Sequence, residues 1–318
     1  MGVPISQTPY IVVVGSMVFD LSIQLDRMPA PHETVLADSV ALSCGGKGLC
    51  QALAISRLGG ECAAVGRVGS DYFGDEILSL LRADGVDTAF VLRDPSGTHL
   101  GIPMITADGV NQIIGIPRAS NSLTPDDIEK AEEYFKRADA LVVQNETPLP
   151  TIAAAIDAAE RHGAIVVWNT APARYSLADT ATVVRRAGRA WLTPNETEAH
   201  QLTGIEVVDA ESGFAAADAI RAAIPSTGVI ITMGAEGAIA IDEDGKRYRQ
   251  PAFAVESVDP TAAGDTFTGA FTTALTRGAP PPLALEFAAA AGALCVTARG
   301  AAPSIPTKAA VDELLAHG

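Results

Sequence analysis

A carboxylate follows a run of small residues near the end of the chain, in a pattern suited to phosphate chemistry. Ala262, Ala263 and Gly264 come directly before Asp265, and helical periodicity continues behind them. Backbone N–H groups at a helix N-terminus bind anions, and small side chains let a phosphate approach them. A carboxylate beside such a cradle can serve as general base for a hydroxyl that attacks a phosphate. The alternative interpretation of Asp265 is an N-capping residue on an ordinary helix.

A second glycine-rich segment, Gly45-Gly46-Lys47-Gly48, opens another predicted helix, which ends at Gly59-Gly60. Further motifs in the chain are Gly15-Ser16 with Asp20, Gln144 with Glu146, Asn169 with Ala171-Pro172-Ala173-Arg174, and Thr193-Pro194-Asn195-Glu196-Thr197-Glu198. In these motifs and in Asp259 to Gly269, the chain resembles the PfkB/ribokinase family of carbohydrate kinases over nearly its whole length. Each motif alone is weak evidence, but their shared order and spacing identify the chain as a member of that family.

Competing phosphate-binding motifs are absent from the sequence. No GxxxxGK[ST] segment occurs, and no GxGxxG segment follows a predicted strand, which argues against P-loop and dinucleotide-binding proteins. The five histidines have no metal-ligand spacing, and we interpret them as surface or structural residues.

Composition narrows the possible partners and the compartment. The 318 residues carry a net charge of −16, which argues against nucleic acid and anionic membranes as partners. The four cysteines form no CxxC pair, so free thiols in a reducing cytoplasm are expected. No apolar run reaches the length of a membrane span.

Short apolar runs alternate with helical segments and predict an α/β fold. The predicted buried strands are 11–14, 63–68, 140–143, 165–168, 190–192 and 229–232. A hairpin of 238–241 with 247–249 predicts an antiparallel edge on a mainly parallel sheet. Helices are predicted over 75–83 and from Pro125, which follows Thr124 as N-cap.

Two segments, about 18–42 and 98–118, break this alternation. They predict paired strands, 18–25 with 34–42 and 100–106 with 111–116, the second pair turning at Ala107-Asp108-Gly109. The family resemblance implies that they form a small β-sheet lid over a sugar site, on a single three-layer α/β/α domain covering residues 1–318. It also implies a homodimer in which two lids meet. Strands that extend the main sheet are the alternative.

The resemblance implies a role for each motif residue. Asp265 would accept the proton of a sugar's primary hydroxyl as it attacks the γ-phosphate of ATP, and the backbone of 262–264 would stabilise the transferring group. Implied sugar contacts are Val18, Asp20, Gly46, Lys47, Cys50, Glu146 and Asp265. Implied nucleotide contacts are Asn195, Thr232, Gly234, Glu236, Gly237 and Gly264. Glu198 would organise Mg²⁺ through water, although Asn195 and Glu198 also suit simple helix capping after Pro194.

The resemblance also implies a site for a monovalent cation such as K⁺. Its residues would be Asp259, Thr261, Cys295, Ala298, Gly300 and Ser304, acting mostly through backbone carbonyls. A carboxylate beside an anion cradle needs a compensating cation, which makes Asp259 the informative member. A turn residue before Pro260 is the alternative for Asp259.

Two positions in the implied sugar site depart from the family pattern. Val18 and Cys50 stand where the family often has Asn, so two hydrogen-bonding amides are missing. The departures put ribose in doubt as the preferred sugar and leave phosphoryl transfer untouched.

The sequence therefore predicts an ATP-dependent kinase that phosphorylates O5 of ribose or a related pentose. A nucleoside kinase of the same family is one alternative, and a non-catalytic sugar-binding regulator is another. Retention of Asp265, Gly264 and Lys47 argues against the regulator, because a protein that only binds sugar needs no general base.

Overall fold

Two β-sheets organise residues 8–108 and 111–317, which are the residues that the computed structural model of the protein describes. The strands are β1 (Tyr10–Val14), β2 (Val18–Leu25), β3 (Ser39–Gly45), β4 (Glu61–Gly69), β5 (Asp87–Asp94), β6 (His99–Thr106), β7 (Asn111–Ile116), β8 (Ala140–Gln144), β9 (Ile165–Asn169), β10 (Ala190–Leu192), β11 (Gly228–Thr232), β12 (Ala238–Ile241) and β13 (Arg247–Gln250). The helices are α1 (Lys47–Arg57), α2 (Tyr72–Ala83), α3 (Arg118–Asn121), α4 (Pro125–Lys130), α5 (Glu132–Phe135), α6 (Leu149–Arg161), α7 (Leu177–Val184), α8 (Glu196–Thr203), α9 (Ala210–Ala223), α10 (Ala263–Thr276), α11 (Pro281–Cys295), α12 (Ala301–Ser304) and α13 (Lys308–His317).

The larger sheet has the order β13-β12-β11-β10-β9-β8-β1-β4-β5. Strands from β11 to β5 in this order pair in parallel, and β12 and β13 add an antiparallel edge. On β1, Ile11 and Val13 belong to one core cluster while Val12 and Val14 belong to the other, because alternate side chains point to opposite faces. Helices α1, α10 and α11 contribute to the first cluster, and α6 and α9 contribute to the second. The predicted three-layer α/β architecture is confirmed.

All six predicted buried strands are present, but β5 was not predicted. Its sequence, Asp-Thr-Ala-Phe-Val-Leu-Arg-Asp, has charged residues at both ends, and β5 is the edge strand beside β4. An edge strand keeps one side in solvent and therefore lacks the continuous apolar run that marks a buried strand.

The smaller sheet, which we call the lid, has the order β3-β2-β6-β7 and lies outside the parallel sheet. The pairs β2 with β3 and β6 with β7 are antiparallel, and β2 joins β6 in parallel at the centre. The prediction of a strand over 34–42 is wrong in its first part, because β3 begins at Ser39. Gln24, next to the last residue of β2, pairs with Ser39, so the preceding segment has no partner strand. The predicted turn residue Gly109 lies outside the described residues.

One of the two predicted helix starts is confirmed, and the other is wrong by three residues. Thr124 and Asp127 form a capping box at α4. Helix α2 starts at Tyr72, earlier than predicted, because the side chain of Asp71 accepts a hydrogen bond from the Gly74 N–H at 2.9 Å. Within the part of the chain that the structure describes, no helix is both long enough and apolar enough to cross a membrane.

Candidate active site

The motifs found in the sequence meet at one edge of the parallel sheet. Gly15-Ser16 follows β1, Glu146 lies just beyond β8, Asn169 ends β9 and Asn195 follows β10. Carboxyl ends of parallel strands lie at the same edge of a sheet, which is where α/β proteins bind their ligands. The N-termini of α1 and α10 face this edge and complete the site.

Gly46 lets the first turn of α1 lie against the segment after β1. Its φ is +92°, and a Cβ there would lie 2.9 Å from Val18 N and 3.1 Å from Ser16 O. The next residue, Lys47, donates its backbone N–H to Glu146 Oε2 at 3.1 Å, and the Ser16 hydroxyl donates to the same oxygen. The predicted contacts Gly46, Lys47 and Glu146 are therefore brought together.

Asp20 projects from the lid into space that two glycines provide. A Cβ on Gly45 would lie 2.2 Å from Asp20 Oδ2, and a Cβ on Gly101 would lie 2.0 Å from Oδ1. Burial, followed by the nearby carboxylate of Glu146, raises the pKa of Asp20 to about 6. No described residue donates a hydrogen bond to the Asp20 side chain. Its carboxylate is thus available as an acceptor for a ligand.

Asp265 lies in the first turn of α10 beside Lys47 of α1. Gln51 Nε2 donates to Asp265 Oδ1 at 2.8 Å. Burial raises the pKa of Asp265, and the Lys47 ammonium and the Gln51 hydrogen bond oppose that rise. Burial alone would lower the pKa of Lys47, but the carboxylates of Asp265, Glu146 and Glu198 raise it overall. Lys47 therefore stays charged beside Asp265.

The backbone before Asp265 presents N–H groups to open space. Ala262 has a φ of +63°, and neither its N–H nor that of Gly264 has a partner among the described residues. The Ala263 N–H makes a longer hydrogen bond, 3.3 Å, to Pro260 O. A Cβ on Gly264 would meet nothing within 4 Å. Two of the three predicted cradle N–H groups are therefore free to bind an anion.

A cavity of about 670 Å³ opens beside this cradle. Five of the six predicted nucleotide contacts line it, namely Asn195, Thr232, Gly234, Gly237 and Gly264. Glu236 lies on the 3₁₀ turn of Gly234–Glu236, but its side chain is 3.6 Å from the guanidinium of Arg249 and does not line the cavity. Sequence reasoning missed the apolar wall of Phe253, Val255, Phe267, Ala289 and Val296. Phe267 lies within the Asp259 to Gly269 motif, but the other four residues belong to no motif and come from the segment before α10 and from the region of α11.

Asn195 and Glu198 form a capping box, as expected from the alternative interpretation of these two residues as simple helix caps. Asn195 Oδ1 accepts the Glu198 N–H at 2.9 Å, and Glu198 Oε2 accepts the Asn195 N–H at 3.0 Å. Burial raises the pKa of Glu198, although the Asn195 hydrogen bond and Lys47 oppose this. Because Asn195 also lines the cavity, helix capping and ligand binding are compatible at this motif.

The residues predicted for a monovalent cation cluster beside the start of α10. Asp259 accepts hydrogen bonds from the N–H groups of Thr261 and Gly300, both at 2.9 Å. Cys295 Sγ lies 3.5 Å from Thr261 O and 3.1 Å from Ser304 Oγ. Ala298 belongs to the same loop, between α11 and α12. Among the described residues, no group of three or more His, Cys, Asp or Glu side chains is arranged to hold a metal ion.

Val18 and Cys50 are both buried at this site, with 5% and 2% of their surfaces exposed. Val18 lies two residues before Asp20 and so shares its face of the lid. Burial holds the pKa of the Cys50 thiol well above its usual range. Neither side chain offers a strong hydrogen-bonding group to a sugar.

Two further polar residues were not recognised from the sequence as part of this site. Gln51 is fully buried and touches Asp265, and its position one helical turn after Lys47 was the available signal. His99 pairs with Val18 across the lid, and its Nδ1 lies 3.0 Å from Ser120 Oγ. Burial lowers the pKa of His99, so it is a neutral lid residue.

Comparison with known proteins shows which family the chain resembles. Residues 8–308 match the model of the pfkB family of carbohydrate kinases. Ribokinase from Bacillus subtilis is 36% identical over 309 residues, covering 96% of this chain and 99% of that protein. Deoxyribokinase from Salmonella typhi is 33% identical over 312 residues, covering 96% and 98%. The solved structure of Arabidopsis thaliana ribokinase complexed with ribose and ATP superposes with a TM-score of 0.89 at 30% identity, covering 97% of this chain and 99% of that one.

Proposed function

This chain belongs to the pfkB family of carbohydrate kinases, and we propose that it transfers the γ-phosphate of ATP to O5 of ribose or a related pentose. The main observation in support is the position of Asp265, next to Lys47 and directly after the free N–H groups of Ala262 and Gly264. A base, a cation and an anion cradle at one point are the components that phosphoryl transfer to a hydroxyl requires.

The proposed chemistry assigns one task to each of these groups. Asp265 accepts the proton of the primary hydroxyl, which activates the oxygen as a nucleophile. The free N–H groups and Lys47 offset the negative charge on the transferring group. Asp20 accepts hydrogen bonds from sugar hydroxyls, and the cavity beside the cradle, with its apolar wall, accommodates the base of the nucleotide.

The residues present fit Mg²⁺ and a monovalent cation, the ions we propose as cofactors. Mg²⁺ bound to nucleotide phosphates keeps several waters and needs few protein ligands, which agrees with Glu198, a buried carboxylate with 8% of its surface exposed, as a single group acting through water. Hydrogen bonds from Thr261 and Gly300 overcome burial and lower the pKa of Asp259, so that it is ionised beside the cradle. When bound, these cations would neutralise phosphate charge and fix the shape of the cradle.

Potassium should raise activity relative to sodium at constant ionic strength. The predicted cause is occupation of the Asp259 loop, which would hold Thr261 and the following N–H groups in place. Initial rates in potassium, sodium and a large organic cation check this, with Asp259→Asn expected to lose most of the difference. Equal rates in all three salts would argue against the cation site.

The preferred sugar depends on the two positions that lack an amide. With Val18 and Cys50 in the pocket, we expect 2-deoxyribose to be phosphorylated within about tenfold of ribose in kcat/KM, because each missing hydrogen bond removes about 0.5–1.5 kcal/mol of discrimination. The relatives include a ribokinase and a deoxyribokinase at similar identity, so overall similarity does not decide the question. A turnover assay with ATP, Mg²⁺ and a panel of pentoses, hexoses and nucleosides tests both the proposal and the nucleoside-kinase alternative.

The double variant Val18→Asn with Cys50→Asn is the matched comparison for this panel. It should shift kcat/KM toward ribose roughly tenfold while the KM for ATP stays unchanged. A native protein that already prefers ribose by several orders of magnitude would show that other groups hold the hydroxyl, and His99 is the polar lid residue beside Val18.

We also propose a homodimer through the lid and residence in the cytoplasm. The lid face opposite Asp20 is mostly apolar, as register and alternation show: it carries Leu21, Ile23, Val40, Leu42, Ile102, Met104 and Ile114, with Gln112 as a polar residue among them. Val40 and Leu42 are 59% and 54% exposed, and such a contiguous apolar surface is typical of an interface. Four free cysteines suit a reducing compartment.

A further inference from the structure

Two buried glutamines form a line of amides behind Asp265. Gln51 lies on α1 and Gln144 ends β8, and neither is exposed to solvent. Gln144 Nε2 donates to Gln51 Oε1 at 2.7 Å, and Gln51 Nε2 donates to Asp265 Oδ1 at 2.8 Å. The proposed mechanism assigns no task to either amide.

The carboxylate determines the direction of these hydrogen bonds. An ionised carboxylate only accepts, so Gln51 must turn its NH₂ toward Asp265 and its oxygen toward Gln144. Gln144 must then present its own NH₂ to Gln51. This leaves Gln144 Oε1 buried without a partner among the described residues. An unpaired buried acceptor is unfavourable, so the hydrogen bonds of Gln144 itself do not explain the arrangement. The hydrogen bond that Gln51 donates to the Asp265 carboxylate does explain it.

A second contact restricts the Gln51 amide from the side. Its Nε2 lies 3.5 Å from Asn169 Oδ1, and Asn169 Nδ2 donates to Thr193 O at 2.8 Å. The ends of β8 and β9 therefore both limit rotation of Gln51. Gly15 is close as well, because a Cβ there would lie 2.0 Å from Gln144 Oε1 and would displace that side chain.

We propose that Gln51 is a positioning residue for Asp265: its amide holds Oδ1, so that Oδ2 is left to accept the proton of the attacking hydroxyl. The inference rests on the proposed role of Asp265 as general base. A carboxylate with one oxygen fixed has one rotational orientation, which places the accepting oxygen before the sugar binds. The same hydrogen bond favours the ionised form of Asp265 against the effect of burial.

Gln51→Met tests the proposal because it keeps the length of the side chain and removes the donor. We expect the pKa of Asp265 to rise by about one pH unit. Carboxyl ¹³C NMR measures this pKa directly, with the resonance assigned by its absence from Asp265→Asn. The acid limb of kcat, measured at saturating sugar so that Asp20 is already bound to its ligand, should move in the same direction. At the pH optimum kcat should fall about tenfold with the KM for ATP unchanged.

The other groups whose charge acts on Asp265 remain in this variant, so the shift reports on the amide alone. They are Lys47, Cys50, Glu146, Glu198 and Cys295. Gln144→Met leaves Gln51 in place without its support and should give a smaller shift of the same sign. Thr273→Val is the matched control, since it removes a buried hydrogen bond of 2.8 Å to Gly269 O on α10 without touching Asp265. It should leave unchanged both the midpoint of the Asp265 NMR titration and the midpoint of the acid limb of kcat.

Each outcome decides between a positioning and a structural role. The proposal is supported if the NMR titration of Asp265 and the acid limb of kcat both move in Gln51→Met and neither moves in Thr273→Val. A lower kcat with an unmoved Asp265 resonance overturns it, because Gln51 then only supports the core. An NMR shift without a shift of the acid limb of kcat also overturns it, because the pH dependence of the reaction then does not come from Asp265 and Asp265 is not the base.

Discussion

Replacing Asp265 with Asn is expected to lower kcat by about 10²–10⁴, the usual contribution of a positioned general base. Asn has the shape of Asp and can still accept the hydrogen bond from Gln51, so the site should keep its geometry. Nucleotide affinity should survive, because the cavity and the free N–H groups do not depend on the carboxylate charge. Steady-state kinetics, with nucleotide titration as the control, check this expectation.

Thermal stability separates loss of the base from loss of the fold. Burial raises the pKa of Asp265, so its ionised form is held in the folded protein at a cost, and a neutral Asn should not lower Tm. A variant with normal Tm, normal nucleotide binding and activity within a few-fold of the native protein would remove Asp265 from the mechanism. That result would mean that the protein uses a different base, or that it has no base and is a sugar-binding regulator.

The parallel sheet could be predicted from the sequence because its strands are buried on both faces. Runs such as 140–143 and 229–232 contain only apolar residues or end in one Thr, and each is a strand in the structure. Edge strand β5 was not predicted, because the exposed charged residues Asp87 and Arg93 leave it without a continuous apolar run. The segment 34–38 has strand-like residues but no partner, and pairing is not readable from local composition.

The candidate site was predictable where its residues lie together in the chain. Ala262 to Asp265 form one helix start, so an anion cradle with a carboxylate beside it could be proposed from local sequence, although the choice between base and helix cap required the family resemblance. The role of Gln51 could not be predicted from the sequence, because its contact with Asp265 joins residues 214 positions apart. The space around Asp20 likewise depends on Gly45 and Gly101, which come from two other strands. Such contacts require the fold before they can be seen.

Removing the carboxylate of Asp20 is expected to have the second large effect, on sugar use alone. Two hydrogen bonds from sugar hydroxyls to a charged acceptor contribute about 1.5–3 kcal/mol each, so Asp20→Ala should lower kcat/KM for the sugar by about 10²–10⁴. The KM for ATP should not change. Ser22→Ala, on the same face of β2 and one alternation further along, is the matched control and should retain native kinetics.

The pH dependence of Asp20 gives this prediction a second, independent test. Because its pKa is raised to about 6 from an ordinary 3.8, the folded protein binds this proton more tightly than the unfolded chain. The free energy of unfolding therefore falls as pH rises from about 4 to about 6, and Asp20→Ala should escape that loss. Its Tm should exceed the native value by an amount that grows over this window and then stays constant. Sugar kcat/KM of the native protein should fall as pH drops through about 6, where the acceptor becomes protonated. A variant that loses both sugar use and Tm would show instead that Asp20 supports the lid, and its assignment to the sugar would be wrong.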